Sequence, residues 1–230
     1  AGIRVNLDVV YNHVYLYQFS VYEKVVPNYY FRRKKNGKMS DGSFCGNDLA
    51  SERPMVRKLI VEACVYWVKE YGIDGYRFDL MGIIDADTMR SIVKLTREIK
   101  PDFMIYGEGW NMPTELPDEL RTSMNHSDHF LDIAFFNDAF RDIVKGGTMG
   151  DKIAEPGYIL GAPNYRLGFK FSYAGSCLDL IFPAKFRHAG QTINYVECHD
   201  NETFYDKLEA AHEVDDQDIR LKRVKLANAA

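Results

Sequence analysis

Short apolar segments alternate with longer amphipathic ones along most of the chain, and this alternation restricts the possible folds most strongly. In "IRVNLDVV" (3–10), Ile3, Val5, Leu7 and Val9 point one way, and Arg4, Asn6, Asp8 and Val10 the other, which is the period of a strand. Apolar residues then recur at helical spacing, at Val56, Ile60, Ala63, Trp67 and Tyr71, with Ser51 as a cap, Pro54 in the first turn and Gly72 as the stop. "GYRFDLM" (75–81) reads as a second strand. Residues 87–100 form a second helix, with Met89, Ile92, Val93, Thr96 and Ile99 on one side and Lys100-Pro101 at its end. "FMIYGEGW" (103–110) and "FLDIAFFN" (130–137) follow as strands, and 138–145 as a short helix. "TINYVECHDN" (192–201) is the fifth strand and 217–230 the last helix. Repeated strand–helix units predict an α/β fold, a parallel sheet covered by helices.

Two parallel architectures fit that pattern. A doubly wound sheet calls for a glycine-rich phosphate loop after a strand, and the chain has neither GxGxxG nor GxxxxGK[ST]. A (β/α)8 TIM barrel calls for polar residues at the carboxyl ends of several strands, which is what the sequence has. The expectation is one partial barrel domain over residues 1–230. The chain begins within a strand pattern and ends within a helical one, so it reads as truncated at both ends. A sheet so cut has open edges, and the 230-residue piece alone is expected to be poorly stable and inactive.

The stretch from 12 to 50 is too long for an idle connector and is expected to be functional. Within it, Arg32-Arg33-Lys34-Lys35 lies among Asn, Gly and Ser and reads as a solvated loop. The region 146–175 reads as an insertion. A formal charge of −4 leaves no basic excess to neutralise phosphates, so neither nucleic acid nor a membrane surface is an expected partner. Cys45, Cys64, Cys177 and Cys198 show no CxxC spacing. Cys64 and Cys198 fall within a predicted helix and strand and read as buried thiols, which favours a cytoplasmic location over an extracellular one.

Side chains two apart on a strand share a face, so Arg77 and Asp79 point together. Asp79 ends its strand, Glu108 holds the same place on the next, and His199 and Asp200 end the fifth. Asn12 and His13 follow the first. Taken singly, each fits an ordinary role: a structural ion pair for Arg77 and Asp79, a turn for Glu108, a cap or turn for His199-Asp200-Asn201. Their recurrence at equivalent strand ends is what points to a site. Arg77 would keep Asp79 ionised and able to act as a nucleophile. Like-charge repulsion from Asp79 and Asp200 would favour a protonated Glu108, a proton donor. Such a pair is the equipment of a retaining glycosidase, with the third acid stabilising the oxocarbenium-like charge. Zinc hydrolysis and serine catalysis lack their signatures, HExxH and GxSxG.

"DVVYNH" (8–13), "GYRFDLMG" (75–82), "YGEGW" (106–110) and "YVECHDN" (195–201) resemble, in order and separation, the four sequence blocks of the α-amylase superfamily, glycoside hydrolase family 13. "CGNDLASERPMVRKLI" (45–60) and "FFNDAFRD" (135–142) are similar to type I pullulanases, the debranching branch that cleaves α-1,6 links in α-glucan polysaccharides. The resemblance implies a nucleophile at Asp79, a general acid/base at Glu108 and a transition-state stabiliser at Asp200. It places Arg77, His13, His199 and Asn201 in the substrate-binding set, with Trp110 lining the cleft. The strands match the third to seventh of the barrel. Asn12 matches a position near calcium in some relatives, but the sequence shows no full oxygen cage, so no cofactor is assigned. Asp8 is expected to be structural.

Overall fold

The computed structural model describes residues 2–212 and 215–230. The chain forms two compact units, Ala1–Phe135 and Phe136–Ala230. Its strands follow chain order, β1-β2-β3-β4-β5, the arrangement that strand–helix repetition produces.

In the first unit β1 (Asn6–Val9), β2 (Gly75–Phe78), β3 (Met104–Gly107) and the start of β4 (Ala134–Phe136) run parallel. The register places Asp8 beside Arg77 and Arg77 beside Tyr106. Tyr76 and Phe78 point to the opposite face from Arg77 and are fully buried, each contributing about 2–3 kcal/mol of apolar burial. Phe78 meets Tyr76, and Tyr76 meets Phe103 edge-on.

Between β1 and β2 lie α1 (Val21–Val25) and α2 (Pro54–Tyr71). Helix α2 starts at a proline and ends at Gly72, whose φ of 63° is the left-handed stop that glycine adopts without a Cβ penalty. Its buried stripe is Val56, Ile60, Val61, Cys64 and Val68, while Tyr71 is exposed. The stripe is thus rotated from the Ala63–Trp67–Tyr71 expectation. The first helix residue is preceded by Arg53, not capped by Ser51. The Ser51 hydroxyl instead accepts from the Asp85 N–H, and Asp85 caps α3 (Ala86–Ile99) by accepting from the Thr88 N–H. Helices α2 and α3 pack together.

The second unit holds α4 (Asp138–Lys145), α5 (Arg166–Tyr173), β5 (Thr192–Ile193), α6 (Phe204–Ala211) and α7 (Gln217–Ala229). Phe140 and Val144 of α4 pack with Ile159, Leu160, Phe204, Leu208 and Ala227 to form its core. The expected fifth strand, 192–201, shrinks to two residues. The contacts are distant in sequence: Asn137 donates to the Asn194 side chain at 2.9 Å, and Asn194 donates to the Ser172 carbonyl at 3.3 Å, so side-chain bonds take over after Ile193. Region 146–175, expected as an insertion, contains α5 and short 3-10 turns.

Candidate active site

Arg77 is the organising charge. Its side chain leaves a buried strand on the face away from the aromatic core and is only 10% exposed. Nη1 lies 3.0 Å from Asp8 Oδ1 and 3.1 Å from Asp79 Oδ1, and Nη2 lies 2.5 Å from Glu108 Oε1. One guanidinium therefore gathers carboxylates from β1, from the residue after β2 and from the residue after β3. Burial alone disfavours its charge, but Glu108 and Asp8 outweigh that and hold its pKa above the ordinary arginine value. The expected structural role of Asp8 fits this geometry.

Asp79 is fixed from a second side. Asn12, itself buried, donates from Nδ2 to the Asp79 carbonyl at 2.6 Å and to its Oδ2 at 3.0 Å. The other end of the same amide, Oδ1, meets His13 Nδ1 at 2.5 Å. Asn12 thus links a half-buried histidine to the carboxylate. The Asp79 N–H donates to the Val9 carbonyl at 3.0 Å, which continues the β1–β2 ladder to the site.

The backbone after Asp79 turns sharply. Leu80 has φ 36° and ψ 47°, a left-handed conformation that a leucine rarely adopts. The turn aims its N–H at Glu108 Oε2, 2.9 Å away. Gly82 donates to the Glu108 carbonyl at 2.9 Å, and a Cβ at Gly82 would collide with the Trp110 carbonyl oxygen. A glycine here lets the β2 and β3 loops touch, a close approach of backbones that strain at Leu80 also serves. Trp110 follows directly, half-buried.

Glu108 is held from two sides: Arg77 and the Leu80 N–H both donate to its carboxyl group. That one arginine spans both acids is not legible within a single strand, where period two pairs Arg77 only with Asp79.

The long loop after β1 is built on a polar centre the sequence reading did not find. Asp48 is fully buried. Its Oδ1 accepts from the Gly42 and Ser43 N–H groups at 2.8 and 3.0 Å, and its Oδ2 from the Ser40 and Thr114 hydroxyls at 2.6 and 2.8 Å. Arg32 lies 3.7 Å from the same oxygen, pairs with Glu52 at 2.7 Å and donates to Thr114 Oγ1 at 2.7 Å. Arg32 is buried, so the basic run is not uniformly solvated: its first residue is internal and holds the loop after β1 to the loop after β3. Asn47, also buried, brackets Val14 beside His13, accepting from its N–H at 3.0 Å and donating to its carbonyl at 2.6 Å.

The remaining expected residues lie in the second unit. His199, Asp200 and Asn201 fall in a turn six to eight residues beyond β5, not at a strand end. His199 Nε2 is 3.4 Å from Asp200 Oδ1, and Asn201 donates to the Asp200 carbonyl at 2.9 Å. Cys198 is half-exposed, which corrects the buried-thiol expectation, and its Sγ lies 3.6 Å from Asn201 Oδ1. Lys145, fully buried, donates to the Glu202 carbonyl at 2.5 Å and so ties α4 to the turn carrying Asp200. Nothing in the sequence pattern marked this lysine beyond its place at the end of a short helix.

Among the described residues no group of three or more His, Cys, Asp or Glu side chains is arranged to hold a metal ion. Asn12, at the position that the resemblance associates with calcium, commits its amide to Asp79 and His13. No described helix is long and apolar enough to cross a membrane.

No protein-family model matches the chain. A pullulanase of Bacillus subtilis (strain 168) is 42% identical over 228 residues, covering 99% of this chain and 32% of the relative. A crystal structure of a pullulanase from Anoxybacillus sp. LM18-11 complexed with maltotriose is 49% identical with a TM-score of 0.94, again over 99% of this chain and 32% of the other. A pullulanase from Paenibacillus barengoltzii, in complex with maltohexaose and α-cyclodextrin, is 43% identical with a TM-score of 0.95, over 99% of this chain and 35% of the other. The chain thus spans about a third of the length of the relatives it matches.

Proposed function

The chain is homologous along its length to a segment of the pullulanases, glycoside hydrolases of the α-amylase family, and from this we propose that it supplies the catalytic part of a retaining debranching hydrolase. Its substrates are α-glucans with α-1,6 links: pullulan, amylopectin or limit dextrins. The five strands are read as consecutive strands of a (β/α)8 barrel, a reading supported by their chain-order arrangement and by the carboxylates that directly follow β2 and β3.

The observation that carries the proposal is the single arginine holding Asp79 and Glu108 at the ends of neighbouring parallel strands. A shared guanidinium favours the short carboxylate separation of retaining enzymes, about 5–5.5 Å, over the wider gap of inverting ones. Asp79, paired with Arg77 and steered by Asn12, attacks the anomeric carbon. Glu108 protonates the leaving glucosidic oxygen and then deprotonates the water that releases the sugar. On the pullulanase reading Asp200 takes the role of transition-state stabiliser, and His13, Trp110, His199 and Asn201 belong to the substrate-binding set. Relatives solved with maltotriose and maltohexaose support an α-glucan ligand.

Incubation of the full-length protein with pullulan tests this reading. Maltotriose as the product supports α-1,6 cleavage. Hydrolysis of amylose with pullulan left intact would instead assign the same carboxylates to an α-1,4 amylase. Release from glycogen but not pullulan would favour an isoamylase, and lengthened branches without net hydrolysis a branching transferase.

A further inference from the structure

The turn over residues 41–48 presents Phe44 in a position that packing does not explain. Phe44 has φ 59° and is 71% exposed, so a bulky residue adopts a left-handed conformation while its ring faces water. Neither feature favours folding. The turn around it is nevertheless closely built. Ser43 donates from its hydroxyl to the Asn47 carbonyl at 2.7 Å and accepts from the Cys45 N–H at 3.2 Å, and the Gly46 N–H donates to Asp41 Oδ1 at 2.8 Å. Asp48 fixes the Gly42 and Ser43 amides from the buried side. The ring therefore sits on a rigid base, and that base is bonded through Asn47 to Val14, the residue after His13.

Strain of this kind in a well-held loop beside a site points to a contact made with a ligand. An exposed aromatic face on a rigid mount suits the apolar C–H face of a pyranose ring, since it adds contact area with little ordering cost. Resting on the α-glucan reading above, we propose that Phe44 is a sugar-stacking residue, forming a glucosyl subsite on the 41–48 turn next to His13. It contributes to binding and to the choice of glucan, and takes no part in bond cleavage.

The test uses the full-length protein and two variants, Phe44→Gly and Phe44→Trp. Glycine accepts the left-handed backbone, so Phe44→Gly should raise Tm by a few degrees. It should also raise KM for pullulan and Kd for maltohexaose about tenfold, with kcat changed less than twofold, as expected for loss of one stacked ring. Phe44→Trp should retain parental affinity. Unchanged KM and maltohexaose affinity in Phe44→Gly overturn the subsite. Loss of thermal stability in that variant also overturns it, by making Phe44 a packing residue. If the parent neither hydrolyses pullulan nor binds maltohexaose, the glucan reading itself fails and the subsite with it.

Discussion

Arg77 Nη2 lies 2.5 Å from Glu108 Oε1, and both side chains are almost entirely shielded from water. Because the same guanidinium also holds Asp8 and Asp79, its removal leaves three carboxylates facing one another. Arg77→Leu should lower stability by about 3–5 kcal/mol, the cost of breaking a buried pair from one side. Arg77→Lys keeps the charge but cannot reach all three acids and should recover only part of that loss. Urea denaturation of the parent and both variants measures it.

Asp48 accepts four hydrogen bonds with no access to solvent. Asp48→Ala strands two amides and two hydroxyls and leaves Arg32 with Glu52 as its remaining acidic partner, so a loss of about 3 kcal/mol or more is expected. Asp48→Asn, which keeps acceptor capacity on one oxygen, should cost less. Equal stability of Asp48→Ala and the parent would show that the loop after β1 is held by other contacts.

Lys207 is buried among the backbone carbonyls of Gly147, Ile153 and Glu155, to all of which it donates. Burial pushes its pKa down to about 8, with the nearby charge of Lys145 adding to the effect. The unfolded chain keeps the ordinary lysine value near 10.4 and so binds the proton more tightly between those limits. Stability should therefore rise with pH from about 8 to about 10.5 through this group. Comparing the parent with Lys207→Met isolates the contribution. A parent-minus-variant difference that falls as pH rises through that window would contradict it.

Lys145 holds the Glu202 carbonyl, two residues past Asp200. If Asp200 has the proposed role, Lys145 positions the turn that carries it, and Lys145→Met should reduce kcat about tenfold or more with a smaller change in KM. Lys145→Arg, which retains the donor, should restore part of the rate. A parental kcat in Lys145→Met that folds as the parent does would remove Lys145 from this role.

The parallel sheet and the strand-end placement of Asp79 and Glu108 were legible in the sequence because each strand is short, apolar and closed by a polar residue at the same phase. Arg77 was legible as a partner of Asp79 because period two puts them on one face. Its bond to Glu108 was not, since it depends on the β2–β3 register, which no single strand encodes. The limits of β5 were missed because Asn137, Ser172 and Asn194 end the ladder through contacts distant in sequence. Arg32 was misread for a similar reason: a local run of basic residues carries no sign of the buried aspartate sixteen positions later that draws one of them inward.

The central claim is that Asp79 forms the bond to sugar while Glu108 handles the proton. A 2-fluoro-glucosyl donor, which slows release of a covalent intermediate, tests it directly when the treated full-length protein is digested and its peptides are weighed. The account predicts one glycosyl adduct, on the peptide containing Asp79, and none in Asp79→Asn. An adduct on another carboxylate, or release of sugar with inverted anomeric configuration, would contradict it.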